Sequence, residues 1–326
     1  MKISLAHLFR ILTVAIVLAF AGSLTASAQT TPPAANEKEL LEYLKKCPPG
    51  QNCEGRVSIP DAKSGTLVQN GRMWQERMEG PVKRWGGWFL IAVVVLLALF
   101  YIVRGRVRID SGVSGQKIER FTGFERFVHW LTATSFIALG LTGLNIRFGR
   151  GVLMPLIGED AFASVSQLGK TVHNYTSFAF ILGIVLMVLI WIGHNLPAKG
   201  DGAWIKAGGG IFKKGVHPPA GKFNAGQKLI FWAVVLLGGA IAVTGLLMMF
   251  PFYFSSMSGM QLATFLHSVL AIILIGVIFA HIYIGTIGMQ GAFDAMGTGK
   301  VDINWAKEHH SRWVDEVQTR KGAAAE

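Results

Sequence analysis

Five unbroken apolar runs constrain this chain more than any other feature: Trp85 to Val103, Phe127 to Ile146, Thr171 to Ile192, Leu229 to Phe250 and Leu262 to Ile287. The hydrocarbon core of a bilayer is about 30 Å thick, which roughly 20 helical residues span. In lipid, a helix also satisfies its own backbone donors and acceptors. The expectation is therefore an all-α integral membrane protein. Composition agrees, since 51% of the 326 residues are hydrophobic, only 15% are charged, and mean hydropathy is +0.43. Tryptophans 85, 88, 130, 191 and 232 lie near run ends, as interfacial anchors do.

The net charge of +12 sits mainly in the segments flanking the runs, so it reads as topology charge and no nucleic-acid partner is expected. Residues 1–28 have a basic start (Lys2, Arg10), an apolar stretch and an Ala26-Ser27-Ala28 exit. They read as a cleavable signal peptide leaving Gln29 as the new N-terminus, with a sixth membrane helix as the alternative. Residues 29–84 then form a polar periplasmic segment with a helical patch around Glu39 to Lys46. Five crossings from that side place residues 291–326 as a cytoplasmic tail. The loop from 104 to 126 carries Arg104, Arg106, Arg108, Lys117, Arg120 and Arg126, and the next inner loop carries Lys199, Lys206, Lys213, Lys214, Lys222 and Lys228. The outer loop 251–260 has no Lys or Arg, as the positive-inside rule requires. Lys83 and Arg84 pull the other way, but a signal already commits that segment to export. Cys47 and Cys53 fall in the exported segment, where they form either a disulfide or a reduced pair. Their spacing is not that of covalent haem attachment, and two thiolates do not hold the usual iron–sulfur cluster.

Nine histidines are present, and His129, His173, His267 and His281 lie inside apolar runs, where a titratable ring is costly and generally functional. His267 and His281 are 14 positions apart, about 21 Å of helical rise with roughly 40° of net rotation. One helix thus offers two ligands on nearly one face, one in each leaflet. Counted from the run ends, His129 matches the depth of His281 near the inner surface, and His173 matches His267 near the outer one. Two neutral imidazoles facing each other are what a six-coordinate haem needs, with no open iron site left for substrate. Two b-type haems stacked through the bilayer would conduct electrons across it. Glycines 140, 143, 183, 238, 239 and 245 serve close approach of a macrocycle or, more commonly, of a neighbouring helix. A zinc or copper site needs clustered ligands, which separate leaflets forbid. A proton relay would usually add intramembrane Asp or Glu, and the runs contain none; a transporter or channel is the alternative of a different class. His7 is in the signal, His217, His309 and His310 are expected to be solvated, and His194 is expected to cap the third helix or to contact a quinone. Leu141-Thr-Gly-Leu recurs as Val243-Thr-Gly-Leu, each before a helix with an early histidine, an echo that carries no inference at this level.

Arg120-Phe-Thr-Gly-Phe-Glu125-Arg126-Phe-Val-His129-Trp130 with Leu141-Thr-Gly-Leu resembles the first haem-binding helix of the gamma (cytochrome b556) subunits of respiratory formate dehydrogenases. Pro219-Ala-Gly-Lys-Phe-Asn224-Ala-Gly226-Gln227-Lys and the paired histidines of the last helix continue the likeness. Cytochrome b subunits of nickel–iron hydrogenases and thiosulfate reductases are less similar. The resemblance implies a four-helix di-haem domain at 115–290, with 85–103 as an additional transmembrane helix. It implies partners on the outer face, an iron–sulfur beta subunit and a molybdenum- or tungsten-containing alpha subunit. It also implies an inner-membrane location and quinone reduction near the inner haem, at positions matching Asn224, Gly226 and the surroundings of His281. Gln227 is added as a neighbouring amide able to bond a quinone carbonyl. Formate would be oxidised on the partner, electrons would pass from the outer to the inner haem, and protons would be taken from the cytoplasm.

Overall fold

Runs of Leu, Val, Ile, Ala and Phe uninterrupted by charge do coil, and turn chemistry sets their ends. The computed structural model describes residues 78–251, 253 and 256–323; the signal, most of the external segment and the cysteine pair lie outside the described residues. The spanning helices are α1 (Lys83–Arg104), α2 (Gly123–Val152), α3 (Glu159–Asn195), α4 (Ala225–Met249) and α5 (Met257–Tyr283), each long and apolar enough to cross a membrane. Thr122 and Glu125 close a reciprocal capping box at the start of α2, Asn224 and Gln227 do so for α4, and Ser256 caps α5. A π segment, Val234–Gly238, interrupts α4, and a π turn, Ile284–Gly288, continues α5.

Two helices outrun their apolar cores. The 30 residues of α2 and the 37 of α3 make rods of about 45 and 55 Å. Hydropathy fades after Ile146, but no proline occurs before Pro155, so the polar continuation of α2 stays helical through Gly149 and Gly151. The pair is joined by the single turn Met154–Ile157 and by Gly158, whose φ of 81° suits glycine.

Close packing runs α2 on α3, α3 on α4 and α4 on α5, while α1 lies against α5. A Cβ at Gly86 would collide with Ile272, and one at Gly276 with Phe89, so α1 and α5 approach through glycine on both sides. The outward surfaces carry exposed Trp85, Leu96, Ile102, Val103 and Leu189, as lipid-facing helices do. Of the tryptophans expected as interfacial anchors, Trp85 and Trp88 are exposed. The other three are internal pegs: Trp130 donates to Met296 O (3.0 Å), Trp191 to Glu125 Oε1 (2.9 Å) and Trp232 to Asn195 O (2.9 Å).

Two polar loops and the segment after α5 gather into a folded cap on one face, here called the basic face. β1 (Lys117–Glu119) pairs antiparallel with β2 (Lys300–Asp302) in the register Lys117↔Asp302, Ile118↔Val301, Glu119↔Lys300. α6 (Ile303–Ala323) follows and buries Trp305, Ala306, Trp313 and Val314. At its heart Arg120 is fully enclosed. Its guanidinium donates to Lys222 O (2.6 Å) and His310 Nε2 (3.0 Å), and lies 5.1 to 5.4 Å from the ring centres of Phe121, Trp305 and Trp313.

His310 was expected to be solvated and is instead completely buried. Its Nδ1–H donates to Gly221 O (2.8 Å) and its Nε2 accepts from Arg120, so the ring is neutral. A polar sequence hid this because the burial comes from the cap, not from a local apolar run. Burial and then the neighbouring Arg120 hold the His310 pKa well below its ordinary value. Burial likewise lowers His309 to about 4. Arg120 is pulled down by burial to about 9 and so stays charged through neutral pH.

A pH dependence follows. Unfolded, both histidines bind a proton near pH 6.5, whereas folded they resist it, so the stability of the cap is fully present above that pH and declines below it. Hydrogen exchange of the α6 amides, corrected for intrinsic rates, should therefore be faster at pH 5 than at pH 7. His310→Gln should flatten part of that difference; an unchanged exchange pattern between the two pH values would show that the rings carry no such linkage.

Candidate functional site

The start of α2 is fastened residue by residue. Glu125 accepts from Trp191 of α3 and from Lys222 Nζ (2.5 Å) ahead of α4, while Arg126 donates to the carbonyls of Met296, Gly297 and Thr298. With Trp130 on Met296 O, one turn of helix is bound to α3, to the loop before α4 and to the segment after α5. His129 sits within that turn.

The structure brings the four intramembrane histidines together in two pairs. The ring centroids of His129 and His281 are 6.2 Å apart, and those of His173 and His267 are also 6.2 Å apart. A metal–nitrogen bond of about 2 Å on each side, plus about 1.1 Å from each nitrogen to its ring centre, requires close to that separation. Among the described residues no group of three or more His, Cys, Asp or Glu is placed to hold an ion. An ion between two imidazoles therefore needs its remaining ligands from elsewhere, as the four nitrogens of a porphyrin supply them. Among the described residues α5 packs more closely on α4 and α1 than on α2 and α3, the helices whose histidines it faces, as a planar group held between the rings requires.

The His173–His267 pair shows which nitrogen is available. Thr142 Oγ1 donates to Ala138 O (2.7 Å), which commits its hydrogen, so its oxygen accepts Nδ1–H of His173 (2.8 Å). Thr244 repeats this on α4: it donates to Ala240 O (2.8 Å) and accepts from His267 Nδ1 (3.1 Å), which also donates to Ile241 O (3.0 Å). A carbonyl only accepts, so Nδ1 carries the proton and Nε2 keeps its lone pair for a metal. The glycine after each threonine makes room for the ring. A Cβ at Gly143 would stand 3.4 Å from His173 Cε1, and one at Gly245 3.2 Å from His267 Cε1. The Leu141-Thr-Gly-Leu and Val243-Thr-Gly-Leu echo is thus a socket used twice. The threonines were not singled out from the sequence, although the repeat marked them.

The remaining glycines divide. Gly183 meets Thr132 and Gly238 meets Phe180 and Ile184, which is helix packing; a Cβ at Gly140 or Gly239 would meet nothing within 4 Å. In the His129–His281 pair, His129 Nδ1 is buried and has no hydrogen-bond partner among the described residues. Among the described residues His194 makes no capping hydrogen bond: its exposed ring lies 6.4 Å from that of Phe223, and the helix end is held by buried Asn195, which donates to Trp191 O (2.9 Å).

The amides ahead of α4 are engaged locally. Asn224 Oδ1 accepts from Gln227 N (2.9 Å), and Gln227 Oε1 accepts from Asn224 N (3.1 Å) and lies 3.5 Å from Arg120 Nη2. The ring of Trp204 covers Gly226, where a Cβ would be 2.8 Å from Cη2 and 3.2 Å from Cζ3. Each carboxamide thus uses its oxygen in the helix cap and keeps its NH₂ as a donor.

A membrane helix bundle with two facing pairs of imidazoles is the architecture of a b-type cytochrome, and the family model described as prokaryotic cytochrome b561 matches residues 120–299. The chain belongs to that family, as a multi-pass membrane protein built to bind haem b. It is 32% identical over 212 residues, 64% of this chain and 97% of the relative, to the formate dehydrogenase cytochrome b556(fdo) subunit of Escherichia coli K12. Identity is 30% to the nitrate-inducible cytochrome b556(Fdn) subunit of that strain, covering 62% and 92% of the two chains. It is 31% to the formate dehydrogenase cytochrome b556 subunit of Haemophilus influenzae, covering 59% and 79%. The family match begins after α1 and ends before β2 and α6.

Thr244→Val and Thr142→Val keep the size of the side chain and remove the acceptor for Nδ1–H. Each should weaken haem retention by about tenfold, as loss of an outer-sphere partner of a ligating histidine does. Haem per polypeptide after detergent washing, measured by pyridine haemochrome, checks this; full retention in the double variant would remove the socket from any role in binding.

Proposed function

We propose that the chain is the membrane cytochrome b subunit of a formate dehydrogenase, passing electrons from a periplasmic iron–sulfur subunit through two b haems to quinone near the cytoplasmic side. The observation that carries the reading is the pair of facing imidazole sets at 6.2 Å, seen in a chain whose relatives are named cytochrome b556 subunits. His129 and His281 would hold the inner haem, and His173 and His267 the outer one. When bound, each haem would supply one-electron exchange. The chain's own work is to fix the imidazoles, keep Nε2 unprotonated and exclude water from the span. Formate chemistry belongs to a molybdenum- or tungsten-containing alpha subunit, docked with the iron–sulfur beta subunit on the outer face. The helical overhang of α2 and α3 lies on the side opposite the basic face and exposes Val152, Leu156, Val165 and Leu168, which suits such docking.

The four-helix domain spans 115–290, α1 is an additional helix, and the basic face is cytoplasmic. Quinone is placed near Asn224, Gly226, Gln227 and His281, with the carboxamide NH₂ groups as donors to a carbonyl oxygen. Because Asn224 also caps α4, Asn224→Ser is the informative change: serine preserves the cap and deletes the amide. Both haems should stay while quinone-linked turnover falls, and full turnover would move the site elsewhere.

His281→Ala should remove one haem and spare the other, and His267→Ala should do the reverse, read from reduced-minus-oxidised spectra. If both variants lose the same signal, the pairing is wrong. A parent preparation with one haem per polypeptide would overturn the di-haem reading. For topology, a reporter that works only when exported should be silent after Glu326, and activity there would invert the orientation.

A further inference from the structure

The segment after α1 lies outside the family match and has a construction of its own. Gly105, at φ 66°, turns the chain out of the helix. Val107 then bridges the end of the α5 π turn, donating to Gly288 O (2.8 Å) and accepting from Gln290 N (2.8 Å). In an extended segment neighbours point opposite ways, so Val107 and Ile109 are buried while Arg106 and Arg108 face outward with Asp110. A second wall is drawn against this one. Arg104 Nε donates to Ile211 O (2.7 Å), and Asp110 Oδ2 accepts from Gly215 N (2.8 Å) and from His217 Nε2 (3.2 Å). The result is a cleft of about 260 Å³ lined by Arg104, Arg106, Arg108, Ile109, Asp110 and Lys214.

Four cations stand against one carboxylate in that lining, and the carboxylate already serves the opposite wall. Arg106 and Arg108 have no acidic partner among the described residues. The cleft also has a fixed depth, because Ile102 and Val103, at 76% and 86% exposure, are the last lipid-facing residues of α1 and Arg104 follows at once. It therefore sits where the apolar span meets the headgroups. Guanidinium groups match the planar, bidentate geometry of phosphate oxygens, and anionic lipid phosphates are concentrated at this level.

We propose that this cleft is a binding site for a phosphate-bearing anion at headgroup depth, fitted to the phosphodiester of an anionic membrane lipid. The inference does not rest on the formate reading, since it involves no histidine pair and no partner subunit. Binding there would tie α1 and the loop before α4 to the end of α5.

The test uses the haem-loaded full chain, as Arg106→Gln/Arg108→Gln beside Lys199→Gln/Lys206→Gln, which removes equal charge from the same face outside the cleft. The first arm reconstitutes each protein in nanodiscs of phosphatidylglycerol and phosphatidylcholine and counts retained lipid by native mass spectrometry after detergent release. The parent should retain phosphatidylglycerol preferentially, the cleft variant about tenfold less, and the control as much as the parent. The second arm titrates inorganic phosphate into delipidated protein and follows its ³¹P linewidth; broadening lost only in the cleft variant, with no lipid preference, would assign the site to free phosphate. Equal behaviour of all three proteins in both arms would overturn the proposal. If the double variant lacks the parent haem spectrum, Lys214→Gln replaces it under the same criteria.

Discussion

An imidazole that offers one nitrogen to a metal can be oriented by a hydrogen bond only through its other nitrogen, and an apolar helix bundle provides few groups able to make that bond. Threonine solves this within a helix. Its hydroxyl hydrogen bonds back to the carbonyl one turn earlier, leaving a lone pair pointing sideways at a fixed height. Thr142 serves His173 and Thr244 serves His267 in this way, and the glycine that follows lets the ring come close. Seen so, α2 and α4 are holders for rings carried on α3 and α5, which explains why the same four-residue pattern occurs at the same height in both.

The His129–His281 pair is positioned by other means, through the ends of helices. His129 lies one turn inside a capping box whose glutamate and following arginine reach α3, the loop before α4 and the segment after α5. These connections converge on Arg120, a buried cation whose enclosure would be costly without partners. Two hydrogen bonds and three aromatic faces supply them, although its Nε and Nη1 have no hydrogen-bond partner among the described residues. The cap is thus the structural counterpart of the threonine sockets: one end of the bundle is set by side chains within helices, the other by a small folded layer outside them.

The spanning helices were legible because lipid imposes a single rule on composition, and the runs Trp85 to Val103 and Leu229 to Phe250 fall within a few residues of α1 and α4. Counting depth from the run ends gave the histidine pairs that the rings form, since 14 residues of helix admit little freedom. Where the rule stops, so did the reading. The overhangs of α2 and α3 are polar helices, invisible to hydropathy. Trp130, Trp191 and Trp232 looked like interfacial residues but donate to internal acceptors. His310 was hidden most deeply, because its burial depends on Arg120, Gly221 and two tryptophans drawn from segments far apart in the chain.

One helix contributes a histidine to each pair, and this governs how tightly it must be held. Any sliding of α5 along its axis would displace both rings in the same direction, while their partners on α2 and α3 stay fixed by separate means. The structure restrains α5 on two sides and at its end. α4 packs along it, α1 meets it through the glycine contacts at 86 and 276, and its final π turn is bridged to Val107. The first helix lies outside the family match. Its position gives it a physical purpose: it clamps the element whose register both imidazole pairs share, and its basic foot holds the same helix at the membrane surface.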